Sequence, residues 1–251
     1  MKTLYTEVHG RGNSNKARAL GAKAEAAVRE QVRMSFVTDA EFRRWEMRGV
    51  KRRWDSCMAC PRHRHRTRIA HGRGPMEPLV LVVGGDPGEE EDRAGRAFAG
   101  PGGKLLVRCC EQVGIDLRAD LFLTDLIGCC SIGPATREQR EACRPRLEQQ
   151  AAILQPSGLL LLGRTAMKVL VGIERDASVA EHRGLLPRAC WPRLEGSGGW
   201  KLRAVFLSHH PVEVLTLSGQ ARTRALGELV QDLKKLKRVL DKLRARVRRG
   251  R

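Results

Sequence analysis

Aromatic residues and long apolar runs are what this 251-residue sequence has least of. Phe, Trp and Tyr make up 4% of it, which disfavours a broad base-stacking platform of the single-strand-binding kind. No stretch approaches the roughly 18 consecutive apolar residues of a membrane-spanning helix. Residues 1–10 lack the apolar core of a secretory signal, so we expect a protein of the bacterial, or phage-infected bacterial, cytoplasm. There the eight cysteines favour metal or cluster ligation over a disulfide framework.

Acidic residues are also few beside basic ones. Asp and Glu total 28 against 47 Lys and Arg, which gives a formal net charge of +19. The excess is concentrated in Glu41–Arg73, with eleven basic and three acidic residues, and in Lys234–Arg251, with ten and one. Clustered positive charge indicates a polyanionic partner, and we expect nucleic acid. The alternative is a solvated basic surface of an arginine-rich protein.

Four short apolar runs, closed by glycine or polar residues, predict buried parallel strands. They are Leu79–Val83, Leu121–Thr124, Gly158–Leu162 and Ala204–Leu207. Helical patterns lie between them, over Gly103–Val113, Arg137–Leu154 and Arg164–Val171. This alternation predicts an α/β fold, a doubly wound three-layer sandwich around a central, mainly parallel four-stranded sheet. Ligands of such sheets bind beyond the carboxyl ends of the strands. Those ends are Gly84–Gly88, Asp125, Gly163 and Ser208–Pro211.

The composition divides the chain into three parts. Residues 1–40 are predicted to be an N-terminal extension, residues 41–233 the folded domain, and residues 234–251 a basic C-terminal tail. A last helix over about Arg222–Arg246 has leucines at helical spacing. Its early part should pack on the sheet, while its basic end reaches solvent or a phosphate backbone.

Four cysteines have spacings suited to ligation. Cys57 and Cys60 form a C-x-x-C pair, and Cys143 with either Cys129 or Cys130 offers a second pair. Four thiolates suit a [4Fe–4S] cluster or a structural zinc ion, and spacing alone does not choose between them.

Five segments follow one another in a recognisable order: Gly84–Asp92 (GGDPGEEED), Gly95–Gly100 (GRAFAG), Leu123–Cys129 (LTDLIGC), Glu141–Leu147 (EACRPRL) and His210-Pro211. They resemble motifs of the iron–sulfur (family 4) uracil-DNA glycosylases, which read approximately GEAPGxxED, GxPFVGxAGxLL, ITNVVKC, EACRPFL and HPS. The resemblance spans about Cys57–Leu233. It implies a structural [4Fe–4S] cluster on Cys57, Cys60, Cys129 and Cys143, with Cys130 as the register alternative and zinc less favoured.

The first motif departs from the family pattern. Gly85 stands where the family has Glu, and Asp86 where it has Ala. The resulting Gly-x-Asp-Pro order resembles the GQDPY motif of the family 1 enzymes, whose Asp supports water attack. We therefore expect Asp86 to stabilise an oxocarbenium-like sugar and to orient water. The alternative is an Asp that caps its own turn.

Asp125 is the second departure, because the family has Asn there. A carboxylate only accepts hydrogen bonds, so it cannot donate to O4 of uracil, whereas it accepts well from the N4 amino group of cytosine. Gly85 and Gly88 are expected to leave room at C5 of the base. Together these features predict a glycosylase for a modified cytosine, with antiphage defence as its role. The alternatives are a divergent uracil-DNA glycosylase of base excision repair, a non-catalytic iron–sulfur DNA-binding protein, and an Asp125 that only binds backbone.

The resemblance implies the remaining roles. Phe98 would stack on the extruded base, and His210 would donate a hydrogen bond to the base O2. Val214 and Leu215 would enter the duplex as a wedge. For each apolar residue the alternative is a place in the core. We expect a monomeric, monofunctional enzyme that needs DNA and water, no other cosubstrate and no membrane.

Overall fold

The computed structural model describes residues 14–36, 38–130, 133–172, 178–188 and 202–249. The chain divides into two compact units, Met1–Phe42 and Arg43–Arg251. This division falls two residues after the predicted end of the N-terminal extension at residue 40. In the described ranges, no helix is both long and apolar enough to cross a membrane.

Five strands form one sheet in the second unit, in the order β2-β1-β3-β5-β4. They are β1 (Val80–Gly84), β2 (Leu121–Asp125), β3 (Gly158–Leu162), β4 (Gly184–Leu185) and β5 (Ala204–Ser208). The first three and β5 are parallel, as predicted, and each lies within one residue of its predicted range. The short β4 pairs antiparallel with β5 at the edge. A strand of only two residues has no alternation of apolar and polar side chains, so β4 was not predicted from the sequence.

Ten α-helices surround and precede the sheet in the described residues. They are α1 (Ser14–Arg33), α2 (Asp39–Asp55), α3 (Glu89–Ala94), α4 (Pro101–Gln112), α5 (Leu117–Asp120), α6 (Arg137–Leu154), α7 (Gly163–Ala166), α8 (Val179–His182), α9 (Pro211–Thr216) and α10 (Gly219–Arg249). A 3-10 turn covers Pro61–Arg64, and a π-helical turn, Met167–Val171, continues α7.

The alternation of strand side chains separates two apolar cores. Leu81 and Val83 of β1 pack on one face of the sheet with Leu147 of α6. Val80 and Val82 pack on the other face with residues of α4 and α10. Helices therefore cover both faces, and the predicted three-layer α/β sandwich is confirmed.

The basic C-terminal segment is not a separate tail. Helix α10 continues through residue 234 to Arg249, and Leu236, Leu240 and Leu243 are buried along it. Arg244 also forms an ion pair with the buried Asp120. Helix α10 therefore crosses the predicted boundary at residue 234, because its apolar stripe persists beyond it.

Candidate functional site

A cavity of about 460 Å³ lies at the carboxyl ends of the parallel strands. Its lining includes all six residues predicted for catalysis and base binding, namely Gly85, Asp86, Gly88, Phe98, Asp125 and His210. They follow three different strands, and the topology of the sheet brings them together. The volume lies within the roughly 300–1,000 Å³ that is typical of small-molecule sites.

Asp125 ends β2 and is buried, with 3% of its surface exposed. Desolvation raises the pKa of its carboxyl group to about 8; the positive charge of Arg146 opposes this rise, and Glu91 and Asp86 add to it. At neutral pH the group is therefore mostly the neutral acid, which donates through O–H and accepts through its other oxygen. Asp125 is therefore not the acceptor-only carboxylate expected from the sequence, because burial favours its neutral form.

Arg146 is a completely buried cation next to Asp125. Its Nη2 donates to the backbone oxygen of Asp125, and its Nη1 lies 3.5 Å from Oγ1 of Thr124. In the resembling motif EACRPFL a phenylalanine stands at this position. Two departures from the family pattern, Asp125 and Arg146, are thus neighbours in the fold.

Asp86 makes long-range contacts and does not cap its own turn. Its Oδ2 accepts from Nη2 of Arg62 at 3.1 Å and from the backbone N–H of Ala135 at 2.8 Å. Its Oδ1 is buried and has no hydrogen-bond partner among the described residues. The carboxylate is therefore held through one oxygen, while the other is buried without a partner among the described residues.

His210 begins α9 and faces the ring of Phe98, with 5.9 Å between ring centroids and 27° between their planes. Desolvation lowers the pKa of the imidazole to about 4, so it is neutral at pH 7. Its Nδ1 accepts from the backbone N–H of Val212 at 3.2 Å, which leaves the proton on Nε2. The preceding His209 instead contacts Oε2 of Glu228 at 2.7 Å. His210 is therefore the histidine of the cavity, as its place before Pro211 predicted.

The backbone of Phe98 adopts a left-handed conformation, with φ of 54°. This region is unfavourable for a residue with a side chain. Arg73 holds the segment by donating to the carbonyl oxygens of Ala97 and Phe98, both at 2.8 Å. The ring is thereby fixed against the cavity before any base is present.

The space expected above Gly85 and Gly88 is bounded by other side chains. A Cβ atom at Gly85 would lie 3.5 Å from Cβ of Thr165, and one at Gly88 would lie 3.0 Å from Oε2 of Glu91. Thr165 and Glu91 both line the cavity. The loop is bare, but the room at C5 is smaller than the two glycines alone suggested.

The predicted wedge residues are not exposed. Val214 is 1% exposed and packs inward from α9, so the prediction that it enters the duplex is wrong. Leu215 is only half-buried. The exposed apolar residues nearby are Val212, at 47%, and Leu217, at 40%. Which face of this short helix points outward depends on packing, which the motif does not specify.

The four predicted cysteine ligands line one small second cavity. Cys57, Cys60, Cys129 and Cys143 are all part of its lining, and Cys130 is not among the described residues that form it. Nη1 of Arg66 lies 3.4 Å from Sγ of Cys129, and the backbone N–H of Gly128 lies 3.3 Å from Sγ of Cys143. Burial raises the pKa of the Cys129 thiol, and Arg66 opposes the rise.

Sequence reasoning missed Arg62 and Thr165, and it did not use Arg146. The departure from EACRPFL was a usable signal for Arg146. Arg62 gave none, because its importance rests on residues 24 to 77 positions away. Thr165 lies in α7 directly after β3, and sequence analysis assigned no role to it.

Comparisons with known proteins identify relatives of the chain. Residues 71–234 match the uracil DNA glycosylase superfamily. A type-4 uracil-DNA glycosylase of Pyrobaculum aerophilum is 35% identical over 181 residues, which are 71% of this chain and 86% of the relative. Another, from Thermotoga maritima, is 31% identical over 199 residues, or 78% and 95% of the two chains. A third, from Sulfurisphaera tokodaii, is 30% identical over 175 residues, or 66% and 74%.

Proposed function

The chain belongs to the uracil-DNA glycosylase superfamily, and from this premise we propose that it is a DNA glycosylase that removes uracil. It hydrolyses the N-glycosidic bond of a flipped-out nucleotide with water and leaves an abasic site. The observation that carries the proposal is the meeting of Asp86, Phe98, Asp125 and His210 around one cavity at the end of the sheet. The net charge of +19 supports DNA as the partner, since basic residues neutralise phosphates.

The protonated form of Asp125 supports uracil as the base. Uracil presents N3–H as a donor and O4 as an acceptor, so its binding group must accept at one atom and donate at another. Neutral Asp125 does both, because the pKa of about 8 keeps it protonated at pH 7. A buried carboxylate would leave O4 without a donor, at a cost of about 1–3 kcal/mol.

The other cavity residues supply the chemistry of hydrolysis. Breaking the bond develops positive charge on the sugar, by analogy with glycoside hydrolysis. Asp86 stabilises that cation by its negative charge, and its carboxylate orients the attacking water. The departing base carries negative charge to O2, where Nε2–H of neutral His210 donates a hydrogen bond. Phe98 stacks on the extruded base.

A modified cytosine is the second candidate substrate, and one property of Asp125 favours it. The proton of a carboxylic acid can sit on either oxygen, whereas the amide of the family's Asn has a fixed direction. Neutral Asp125 can therefore also accept from N4 and donate to N3 of a cytosine-type base. A role in antiphage defence depends on this second substrate. Thr165 and Glu91 limit the space for a bulky substituent at C5.

A panel of oligonucleotides separates these functions. We expect alkali-labile strand breaks at pH 7 in DNA that contains uracil, and none above background at cytosine, 5-hydroxymethylcytosine or glucosylated 5-hydroxymethylcytosine. Breaks at a modified cytosine alone would select the second candidate. Binding of every oligonucleotide without any break would select the non-catalytic alternative.

The four cysteines fit a [4Fe–4S] cluster by the chemistry of their donor set. Cys57, Cys60, Cys129 and Cys143 would hold it, and Arg66 and the N–H of Gly128 already direct donors at two sulfurs. The group would support the arginine-rich segment structurally. Zinc, the alternative, needs four sulfurs about 2.3 Å from one centre. Across the described part of the chain, no three His, Cys, Asp or Glu side chains are arranged to hold a single metal ion.

Purified protein should be brown, with broad visible absorption and about four irons per chain. Cys129→Ala should lose this absorption, because it removes one ligand. Cys130→Ala is the matched control, since it deletes the adjacent thiol outside the cavity lining and should keep the absorption. Absorption spectra with iron and zinc analysis test this. Colourless protein with stoichiometric zinc would contradict the cluster.

A further inference from the structure

Arg62 is a fully buried arginine whose four hydrogen bonds reach two regions of the protein at once. It lies on the 3-10 turn Pro61–Arg64, two residues after Cys60, and is 2% exposed. Nη2 contacts Oδ2 of Asp86 at 3.1 Å, and Nη1 donates to the backbone oxygen of Cys129 at 3.0 Å. The same side chain thus contacts the carboxylate of the cavity and the backbone of a proposed cluster ligand.

The remaining bonds of Arg62 fix its orientation. Nε donates to Oε1 of Gln139 at 3.0 Å, and Nη2 also donates to the backbone oxygen of Gly133 at 2.8 Å. A guanidinium group is planar and carries its donors in a fixed fork, so four partners leave it one position. Asp86 Oδ2 is held in turn by the N–H of Ala135. Arg62 is therefore the charge partner of the carboxylate, and it fixes the direction of the group together with the N–H of Ala135.

We propose that Arg62 is a positioning residue that couples Asp86 to the cysteine-bearing segments. The proposal rests on the proposed function, because Asp86 acts in hydrolysis there. Arg62 does not line the cavity, so it acts on the reaction only through Asp86. One rigid guanidinium group makes the hydrogen bonds to both Asp86 and Cys129. A displacement of either partner therefore moves the group and, through it, the other partner. Because the group is shared, a change at the cysteine segment should alter excision, and a change at Asp86 should alter retention of the cluster.

A double-mutant cycle tests the catalytic half of this proposal. Arg62→Gln should lower the single-turnover rate of uracil excision at saturating enzyme about 10- to 100-fold, since small displacements of a reacting group cost that much. DNA affinity should stay within about twofold, because a buried arginine contacts no phosphate. In the Asp86→Asn background the same substitution should change the rate less than about threefold, because the group it positions is already gone.

Two variants control for folding and charge. Arg62→Lys keeps the positive charge but not the fork, and it should fall between the parent and Arg62→Gln. Arg137→Gln removes an exposed arginine of α6 that pairs only with Glu141 among the described residues, and it should leave the rate unchanged. Equal losses from Arg62→Gln in both backgrounds would show a purely structural role and overturn the proposal. So would insoluble or colourless protein from both Arg62 variants.

Loss of the cluster gives a readout that needs no activity. Bleaching of the visible absorption by an iron chelator should be at least about threefold faster in Arg62→Gln and in Asp86→Asn than in the parent, because both substitutions disturb the arginine that donates to the backbone of Cys129. Asp125→Asn is the matched control, because it alters the same cavity without contacting Arg62, and it should bleach at the parental rate. Parental bleaching of Asp86→Asn would overturn the coupling. A parent that excises no uracil but shows the bleaching pattern would refute the proposed function alone. A parent with neither excision nor visible absorption would refute both.

Discussion

Asp86→Asn should lower the single-turnover rate of uracil excision about 100- to 1,000-fold, the effect of removing one preorganised electrostatic group from a reaction centre. Asparagine keeps the size of the side chain and an oxygen that accepts from Ala135 N–H, so the loop should stay in place. What disappears is the negative charge beside the developing cation of the sugar. DNA affinity should not fall, because the substitution removes a charge that repels phosphate.

Glu141→Gln is the matched control for this loss. Glu141 is an exposed acid of α6 that pairs with Arg137, and its substitution removes the same charge outside the cavity lining. Its rate should stay within about threefold of the parent, since exposed pairs contribute little. Rapid quench with excess enzyme measures both variants. An Asp86→Asn protein as fast as Glu141→Gln would mean that Asp86 has no part in the chemistry.

Uracil excision should fall about tenfold between pH 7 and pH 9, because the acid form of Asp125 becomes the minor one. The pKa of this group is raised to about 8 by desolvation, so below pH 8 it donates to O4 and above pH 8 it only accepts. Arg146 opposes the rise, and Glu91 and Asp86 add to it. His210 stays neutral throughout this range, since its pKa is lowered to about 4.

Asp125→Asn is the test of that assignment. An amide donates and accepts at every pH in the range, so the variant should match the parent within a few-fold at pH 7 and exceed it about tenfold at pH 9. Because asparagine does not titrate, any pH dependence of the rate that remains in this variant comes from the uracil N3–H or from other residues. Parallel pH profiles for the two proteins would show that protonation of Asp125 does not control recognition.

The fold was predictable because strand placement here is a local property. Continuous apolar runs such as Leu79–Val83 encode a strand buried on both faces, and their alternation with helical patterns defines the parallel sheet. The strand over Gly184–Leu185 was not predictable, because two residues next to an edge have no pattern. The leucine spacing of α10 was visible in the sequence, but the basic composition beyond residue 234 led to the expectation of a solvated end, whereas Leu236, Leu240 and Leu243 are buried.

The site was predictable in its membership but not in its chemical state. Motifs identified Asp86, Asp125 and His210, because each follows a strand at the same edge of the sheet. Whether Asp125 carries a proton depends on burial and on Arg146, 21 residues away, which no motif states. The prediction that Val214 is exposed was wrong for the same reason, because packing alone decides which face of α9 points to solvent. The protonation of Asp125 and the burial of Val214 both depend on contacts between residues that are distant in the sequence.

The backbone at Phe98 carries a cost to stability that serves recognition. Holding a residue with a side chain at a φ of 54° costs on the order of 1–3 kcal/mol of folding stability. The two hydrogen bonds from Arg73 keep Phe98 in this conformation. The ring of Phe98 is therefore already ordered in the folded protein. Binding of a nucleotide does not have to include the entropic cost of ordering this aromatic surface when the base leaves the duplex. A glycine there would relieve the backbone strain, but it would also delete a buried ring, so the chain keeps a costly conformation in order to hold that ring ready for a base.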